Sequence, residues 1–237
     1  MSVIPDKDLF IVTSALHANI GVVNSNDRFG QTINTLKDLR LKCPNSIILF
    51  ADGSPIEPEK EKLQEISKHV DIIILWTNDS DIREVAMAGR KSESEIIMLF
   101  KTLSTLKQNP DLMKMMNSVR RIYKYSARSL LDDNFDISKY ENLFGKYVFK
   151  KAIPSWLPEN KKKTVTDHLY ITRFYSFCPS LIDNYMNTLF NILKNVVQHN
   201  IDTEHAHYLC VDKSFVVEFE KLNCSGIVAG TGNIENY

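Results

Sequence analysis

Three apolar runs recur in the first third of the chain, and each stops abruptly in small polar residues. Residues 9–15 end in Thr13, Ser14 and Ala15, residues 46–51 end at Asp52, Gly53, Ser54 and Pro55, and residues 70–76 end in Thr77, Asn78 and Asp79. Apolar runs of this length without alternation read as strands buried on both faces, the habit of parallel sheets covered by helices. The intervals support that reading. Phe29, Ile33, Leu36 and Leu39 or Leu41 stand at helical spacing after an Asn- and Ser-rich loop at 21–27, with Ser25 or Asn26 placed to cap the helix. Residues 59–68 are charged around Leu63 and Ile66, as in a surface helix. Strand, helix and strand in succession predict an α/β domain with a mostly parallel central sheet flanked by helices. Right-handed crossovers then bring the polar strand ends to one edge, where open sheets of this kind bind ligands.

Composition narrows the function classes. Lys plus Arg equals Asp plus Glu at 29 each, so the basic excess of a dedicated nucleic-acid binder is missing and no nucleic-acid partner is expected. A hydrophobic share of 43% in 237 residues suits one folded domain spanning 1–237. No apolar run is long enough to cross a bilayer, and the amino-terminal residues lack a signal peptide's hydrophobic segment, so the expected location is the cytoplasm. Cys43, Cys178, Cys210 and Cys224 are scattered without a Cys-x-x-Cys pair, which argues for free thiols rather than a zinc site. Nothing here bears on oligomeric state.

The chemistry concentrates further along. Residues 120–136 open with β-formers around Ile122, Tyr123 and Tyr125 and then turn polar, delivering Lys124, Ser126, Arg128, Asp132, Asp133 and Asn134 to the end of a strand. Two cations beside two adjacent carboxylates suit a phosphorylated ligand. It is held either directly by the cations or through a divalent ion, Mn or Mg, on Asp132 and Asp133. Lys91 precedes Ile96, Phe100, Leu103 and Leu106 at helical spacing, with Ser92 or Ser94 as cap and Glu93 and Glu95 in the favoured first turn. Capping leaves Lys91 unexplained, and a lysine beside a helix amino terminus suits a phosphate. Further strands are expected at 144–150 and 169–177, a long amphipathic helix from Pro179, and a last helix over 215–222. Residues 152–166 hold Pro154, Trp156, Pro158 and Lys161 to Lys163, and read as a long mobile loop; the tail at 226–237 reads as mobile too.

The order of these pieces resembles the glycosyltransferase A-type proteins, in particular an uncharacterised bacterial and phage branch. Val12-Thr13-Ser14-Ala15, then Arg28 with Gln31-Thr32 and Thr35-Leu36, then a strand ending in Asp52-Gly53-Ser54, matches the first half of such a domain. Lys91 with Ser94-Glu95, followed by residues 122–128, is similar to a Lys-x-x-Gly-Glu and Lys-x-Ser/Thr-Gly-Arg-Tyr pattern. Thr172-Arg173-Phe174-Tyr175, Thr203-Glu204-His205 and residues 226–229 extend the likeness over most of the chain. Ser94 and Ala127 stand where the pattern has glycine, and Ser129 where it has tyrosine.

The resemblance implies a single Rossmann-like glycosyltransferase A-type domain, with a nucleotide-binding half at 1–130 and an acceptor half at 131–237. It implies transfer of a sugar from a nucleotide-diphosphate donor to a glycan or other hydroxyl acceptor. Thr13, Ser14, Ala15, Arg28, Asp52, Lys91, Lys124, Arg128 and Arg173 are then the donor-binding residues, the cations stabilising the departing diphosphate. Glu204, with His205 adjacent, is the candidate base. The alternative is a non-catalytic nucleotide- or glycan-binding protein on the same scaffold, a reading that the altered Ala127 and Ser129 favour.

Overall fold

A computed structural model describes residues 5–18, 24–227 and 234–237; of the matching segment 226–229, Val228 and Ala229 lie outside them. The three apolar runs form β1 (Lys7–Ser14), β2 (Ile47–Asp52) and β3 (Ile72–Leu75). Helix α1 (Ser25–Lys42) and helix α2 (Lys60–Ser67) connect them as crossovers. The cap of α1 is Asn24, one residue ahead of the expected pair, and its side chain accepts from the Asp27 amide. Helix α3 (Ser80–Met87), not anticipated from the sequence, is capped by Asp79 and precedes α4 (Lys91–Gln108) and α5 (Pro110–Met116). Ser92 and Ser94 fall inside α4, whose cap is Arg90.

The central strand β4 (Val119–Ser126) follows, then β5 (Ser129–Leu131), β6 (Tyr147–Lys150) and β7 (Ile153–Pro154). Residues 152–166, expected as a long mobile loop, contain β7 and α6 (Glu159–Thr164). After β8 (His168–Leu169) come β9 (Phe174–Phe177), α7 (Ile182–His199), α8 (Thr203–Cys210), β10 (Val216–Phe219), β11 (Cys224–Ile227) and β12 (Ile234–Asn236). The expected helix over 215–222 is therefore wrong. Val216 and Val217 are β-branched, and β10 finds a parallel partner in β6, so pairing overrides the helix-like spacing of Phe215, Phe219 and Leu222.

The main sheet has seven strands in the order β10-β6-β9-β4-β1-β2-β3. Strands β1, β2, β3 and β4 run parallel, while β9 is antiparallel to both β4 and β6. Its two faces carry separate cores. Leu9, Ile11 and Leu49 face Leu99 and Leu103 of α4 and Tyr185 and Leu189 of α7. Phe10, Val12 and Phe50 face Ile33, Leu36 and Leu39 of α1, with Tyr123 stacked on Phe10 at 4.6 Å. Strict alternation between two apolar faces is why the strands read as unbroken hydrophobic runs. Among the described residues, no helix is long and apolar enough to cross a membrane.

Register sets the functional edge. Ser14 lies opposite Asp52, and Thr13 opposite Ser126, so the carboxyl ends of β1, β2 and β4 coincide. Because β9 runs the other way, it begins where β4 ends: Tyr125 pairs with Phe174, and the Ser126 amide donates to the Arg173 carbonyl at 2.9 Å. Glu204 reaches the same edge from α8, its carbonyl accepting from the Tyr170 amide at 3.2 Å.

Candidate functional site

The edge opens into a cleft whose floor is the end of the sheet. Thr13, Ser14 and Ala15 line it from β1, Arg28 and Thr32 from α1, Lys124 and Arg128 from β4 and the turn after it, Arg173 from the turn before β9, and Glu204 from α8. The first two turns of α4 supply Lys91, Ser94, Glu95 and Met98, so a helix amino terminus flanks the cleft. Gly53 lets the β2 loop approach α4, since a Cβ there would stand 3.0 Å from the Met98 sulfur. The cleft thus collects five cationic side chains against two carboxylates, Glu95 and Glu204. That excess and the helix dipole both select an anionic ligand.

These charges differ in how they are engaged. Lys124 is 2% exposed; its ammonium pairs with Glu95 and donates to the Thr172 carbonyl at 2.9 Å. Burial pushes the Glu95 carboxyl up, but Lys124 and Lys91 outweigh it and hold the group down at about 2. Glu95 is therefore a fixed anion that ties α4 to β4. A glutamate in a first turn already has an adequate explanation in the helix dipole, so its place in the Lys-x-x-Gly-Glu pattern is the signal in the sequence for this role. Arg128 is the opposite case. Burial, then Arg28 and Arg173 nearby, lower its pKa to about 10, and its Nη1 is buried without a hydrogen-bond partner. A buried guanidinium N–H left unmade costs about 1–3 kcal/mol, which a ligand's oxygen recovers.

Lys91 keeps an exposed side chain at the cleft, yet desolvation by the protein crowded around it, then Arg128 and Arg173, shift it down, with Glu95 and Glu204 opposing. Arg28 is 7% exposed and lowered by burial. The Arg173 guanidinium lies 5.6 Å from the Tyr237 ring centre, a cation–π contact that fixes its approach. Glu204 is raised by burial and by the neighbouring Asp202 and Glu95. Where the pattern has glycine, Ser94 and Ala127 cause no backbone strain: among described non-glycine residues only Asn200 and Asn223 have positive φ. The Ala127 and Ser129 carbonyls both accept from Thr35 Oγ1, at 3.0 and 2.9 Å, which pins the turn carrying Arg128 to α1.

Four expected site residues are placed elsewhere. Asp52 is fully buried beneath the cleft, accepting from the Leu16 and Ser54 amides at 3.0 and 2.9 Å, so it shapes the loops and does not face a ligand. His205 has no exposed surface; its ring sits between Ser155 Oγ at 2.8 Å and Asp202 Oδ1 at 2.5 Å. Asp132 closes its own turn by accepting from the Asn134 amide at 2.7 Å. Asp133 is solvated, 3.7 Å from Lys42 at the far end of α1. Lys42 lies fourteen residues beyond the cleft residue Arg28 on the same helix, about 21 Å along its axis. Chain order could not reveal this, because β5 turns away to pair with β11.

The fold is shared with solved glycosyltransferases. The mannosyltransferase Ktr4p from S. cerevisiae is similar at TM-score 0.50 and 12% identity, over 90% of this chain and 68% of that one. Core-mannan synthase A (CmsA/Ktr4) from Aspergillus fumigatus, solved in an Mn/GDP form, is similar at 0.50 and 11%, over 90% and 72%. The galactosyltransferase LgtC, solved with donor and acceptor sugar analogs, is similar at 0.50 and 9%, over 90% and 73%. No protein-family model and no curated protein matches the sequence. At such identities the likeness establishes architecture: the chain has a glycosyltransferase A-type fold.

Proposed function

We propose that this chain is a glycosyltransferase that moves a sugar from a nucleoside-diphosphate donor to a hydroxyl acceptor. The observation that carries the reading is Arg128, a half-buried arginine whose Nη1 is buried with an unmade N–H, in a cationic cleft at the ligand edge of a glycosyltransferase A-type sheet. Arg28, Lys91, Arg128 and Arg173 bind the diphosphate, with the amino end of α4 adding its dipole. Lys124 is spent on Glu95 and shapes the wall.

A divalent cation does not fit the residues present. Among the described residues no cluster of three His, Cys, Asp or Glu side chains could hold one, Asp132 and Asp133 lie outside the cleft, and Glu95 is already paired with Lys124. In the transfer, the acceptor oxygen forms a bond to the anomeric carbon as the bond to the diphosphate oxygen breaks. The electron pair leaves on the diphosphate, where the fixed cations meet the added negative charge. The acceptor proton passes to Glu204, whose raised pKa makes it a better base than an ordinary glutamate. Direct displacement of this kind inverts the anomeric centre.

Calorimetry with UDP, GDP, ADP, CDP and dTDP, followed by donor-consumption assays with the matching nucleotide sugars, tests the reading. One diphosphate should bind and its sugar donor turn over. Glu204→Gln should leave that affinity within twofold and lower turnover by about 10²–10⁴-fold. Absence of diphosphate binding refutes the reading; binding without turnover identifies a non-catalytic protein; full activity of Glu204→Gln places the base elsewhere.

A further inference from the structure

Trp156 is more than half exposed, at 57%, yet it is held on two sides. Its Nε1 donates to Asp202 Oδ2 at 2.9 Å, and its ring meets that of His205 edge-on, with centroids 5.2 Å apart and planes at 86°. The support is itself supported. His205 is clamped by Ser155 and Asp202, and Ser155 Oγ also accepts from the Leu157 amide at 3.0 Å. Lys161 ties the following helix to the carbonyls of His199 and Asn200, at 2.9 and 3.0 Å. An indole whose polar edge is satisfied and whose orientation is fixed presents a flat apolar face to solvent, at little further entropic cost on binding.

Its position gives that face a use. Asp202, the residue bonded to the indole, caps α8 and, after burial, is the largest influence raising Glu204, two residues on. Trp156 is thus joined through Asp202 to the helix that carries the cleft's candidate base. A ligand suited to both has an apolar face for the ring and a hydroxyl within reach of Glu204. A pyranose has both: its C–H bonds gather on one face and its hydroxyls on the rim. On the helix that follows the ring, Lys162 pairs with Glu159 and Lys161 is held by two backbone carbonyls.

We infer that Trp156 is the platform on which a saccharide acceptor stacks; the inference rests on the donor-cleft reading above and narrows its acceptor to a carbohydrate. His205 and Ser155 are positioning residues that aim the ring. The chain has two tryptophans, so in Trp76→Phe the emission reports Trp156 alone. Mannotetraose, lactose, cellotetraose and chitotetraose, titrated into that variant to 20 mM, should include at least one that shifts the emission saturably. By calorimetry, Trp156→Leu should bind that saccharide at least tenfold more weakly, and Trp156→Tyr, which keeps a stacking ring, within threefold of the parent. Thermal melts within 3 °C of the parent show that either variant is folded. No response to any of the four, unchanged affinity in folded Trp156→Leu, or a response only to phosphatidylglycerol vesicles overturns the platform. Saccharide binding at Trp156 without any diphosphate binding supports the platform and removes only the donor-cleft reading.

Discussion

Strand β4 carries arginines at its start and leads into a turn that carries another, and the two places treat them oppositely. At its start, Arg120 grips the buried Asp8 through Nε and Nη2 and reaches Glu141 with Nη1 at 2.7 Å. Arg121 beside it donates to Ser176 Oγ, the Leu143 carbonyl and the Lys146 carbonyl at 2.8, 3.0 and 3.1 Å. At the other end, Lys124 is satisfied by Glu95 and Thr172, but Arg128 keeps a buried Nη1 with no partner. Arginines at the start of the strand and in the turn after it thus divide by whether the fold completes their hydrogen bonds. Completion marks structure; an unmade bond in a cleft marks a group that waits for a ligand.

The starting end of β4 should give the largest effect on stability. Arg120→Ala strands the Asp8 carboxylate, which is 4% exposed; losing one partner of a buried pair costs roughly 3–5 kcal/mol. Urea denaturation at pH 7.5 should show that loss while the affinity of the folded variant for diphosphate stays within twofold. A loss below about 1 kcal/mol would erase the distinction between the two ends of the strand, since it lies within the range of ordinary surface pairs.

The floor beneath the cleft sharpens the comparison. Tyr175 and Tyr185 are bonded hydroxyl to hydroxyl, the Tyr185 hydroxyl meets His207 Nε2 at 3.0 Å, and His207 Nδ1 donates to the Thr203 carbonyl at 2.8 Å. Burial depresses His207 to about 4. Because the folded pKa lies below the unfolded one, this contribution is complete above pH 6.5 and is lost as pH falls through about 4. The size is on the order of 3 kcal/mol. Stability measured by urea melts should fall across that window, and His207→Gln, though less stable at pH 7.5, should follow a flatter curve. An unchanged slope in the variant would assign the acid sensitivity to other groups.

What the sequence disclosed, and what it hid, follows the same division between local and distant causes. Strands β1 and β2 were legible because burial on both faces leaves an unbroken apolar run, and the half-buried β3 kept such a run; Thr13, Ser14, Lys91, Lys124 and Arg128 were legible as polar groups at or beside strand or helix ends, whereas Arg28, Arg173 and Glu204 came with the family resemblance. Asp52 was misread because a carboxylate closing a buried loop and one facing a ligand have the same sequence signature. The strand over Val216–Phe219 was hidden because its partner β6 lies some seventy residues away in the chain, and pairing at that range leaves no local periodicity. Asp132 and Asp133 were misplaced for a related reason: the β5 to β11 pairing that carries them away is a contact with residues 224–226.

The smallest effect is the most discriminating, because it should have the unusual sign. If Arg128 is kept with an unmade bond for a ligand's sake, the empty cleft carries a strain that the fold does not need. Arg128→Met retains much of the side chain's length and packing while removing the buried donor and relieving its repulsion with Arg28 and Arg173. The unliganded protein should then gain on the order of 1 kcal/mol, a rise of about 2–4 °C in melting temperature for a chain of this size. The same variant should lose at least tenfold in diphosphate affinity, since hydrogen bonds to charged groups are worth about 1.5–3 kcal/mol. Arg128→Lys keeps the charge without the planar fork and should recover only part of that affinity. Differential scanning calorimetry of the three proteins, with and without the best-binding diphosphate, reads both quantities at once. A melting temperature lowered by Arg128→Met, with affinity unchanged, would move Arg128 into the class of Arg120 and Arg121 and leave β4 with two structural ends.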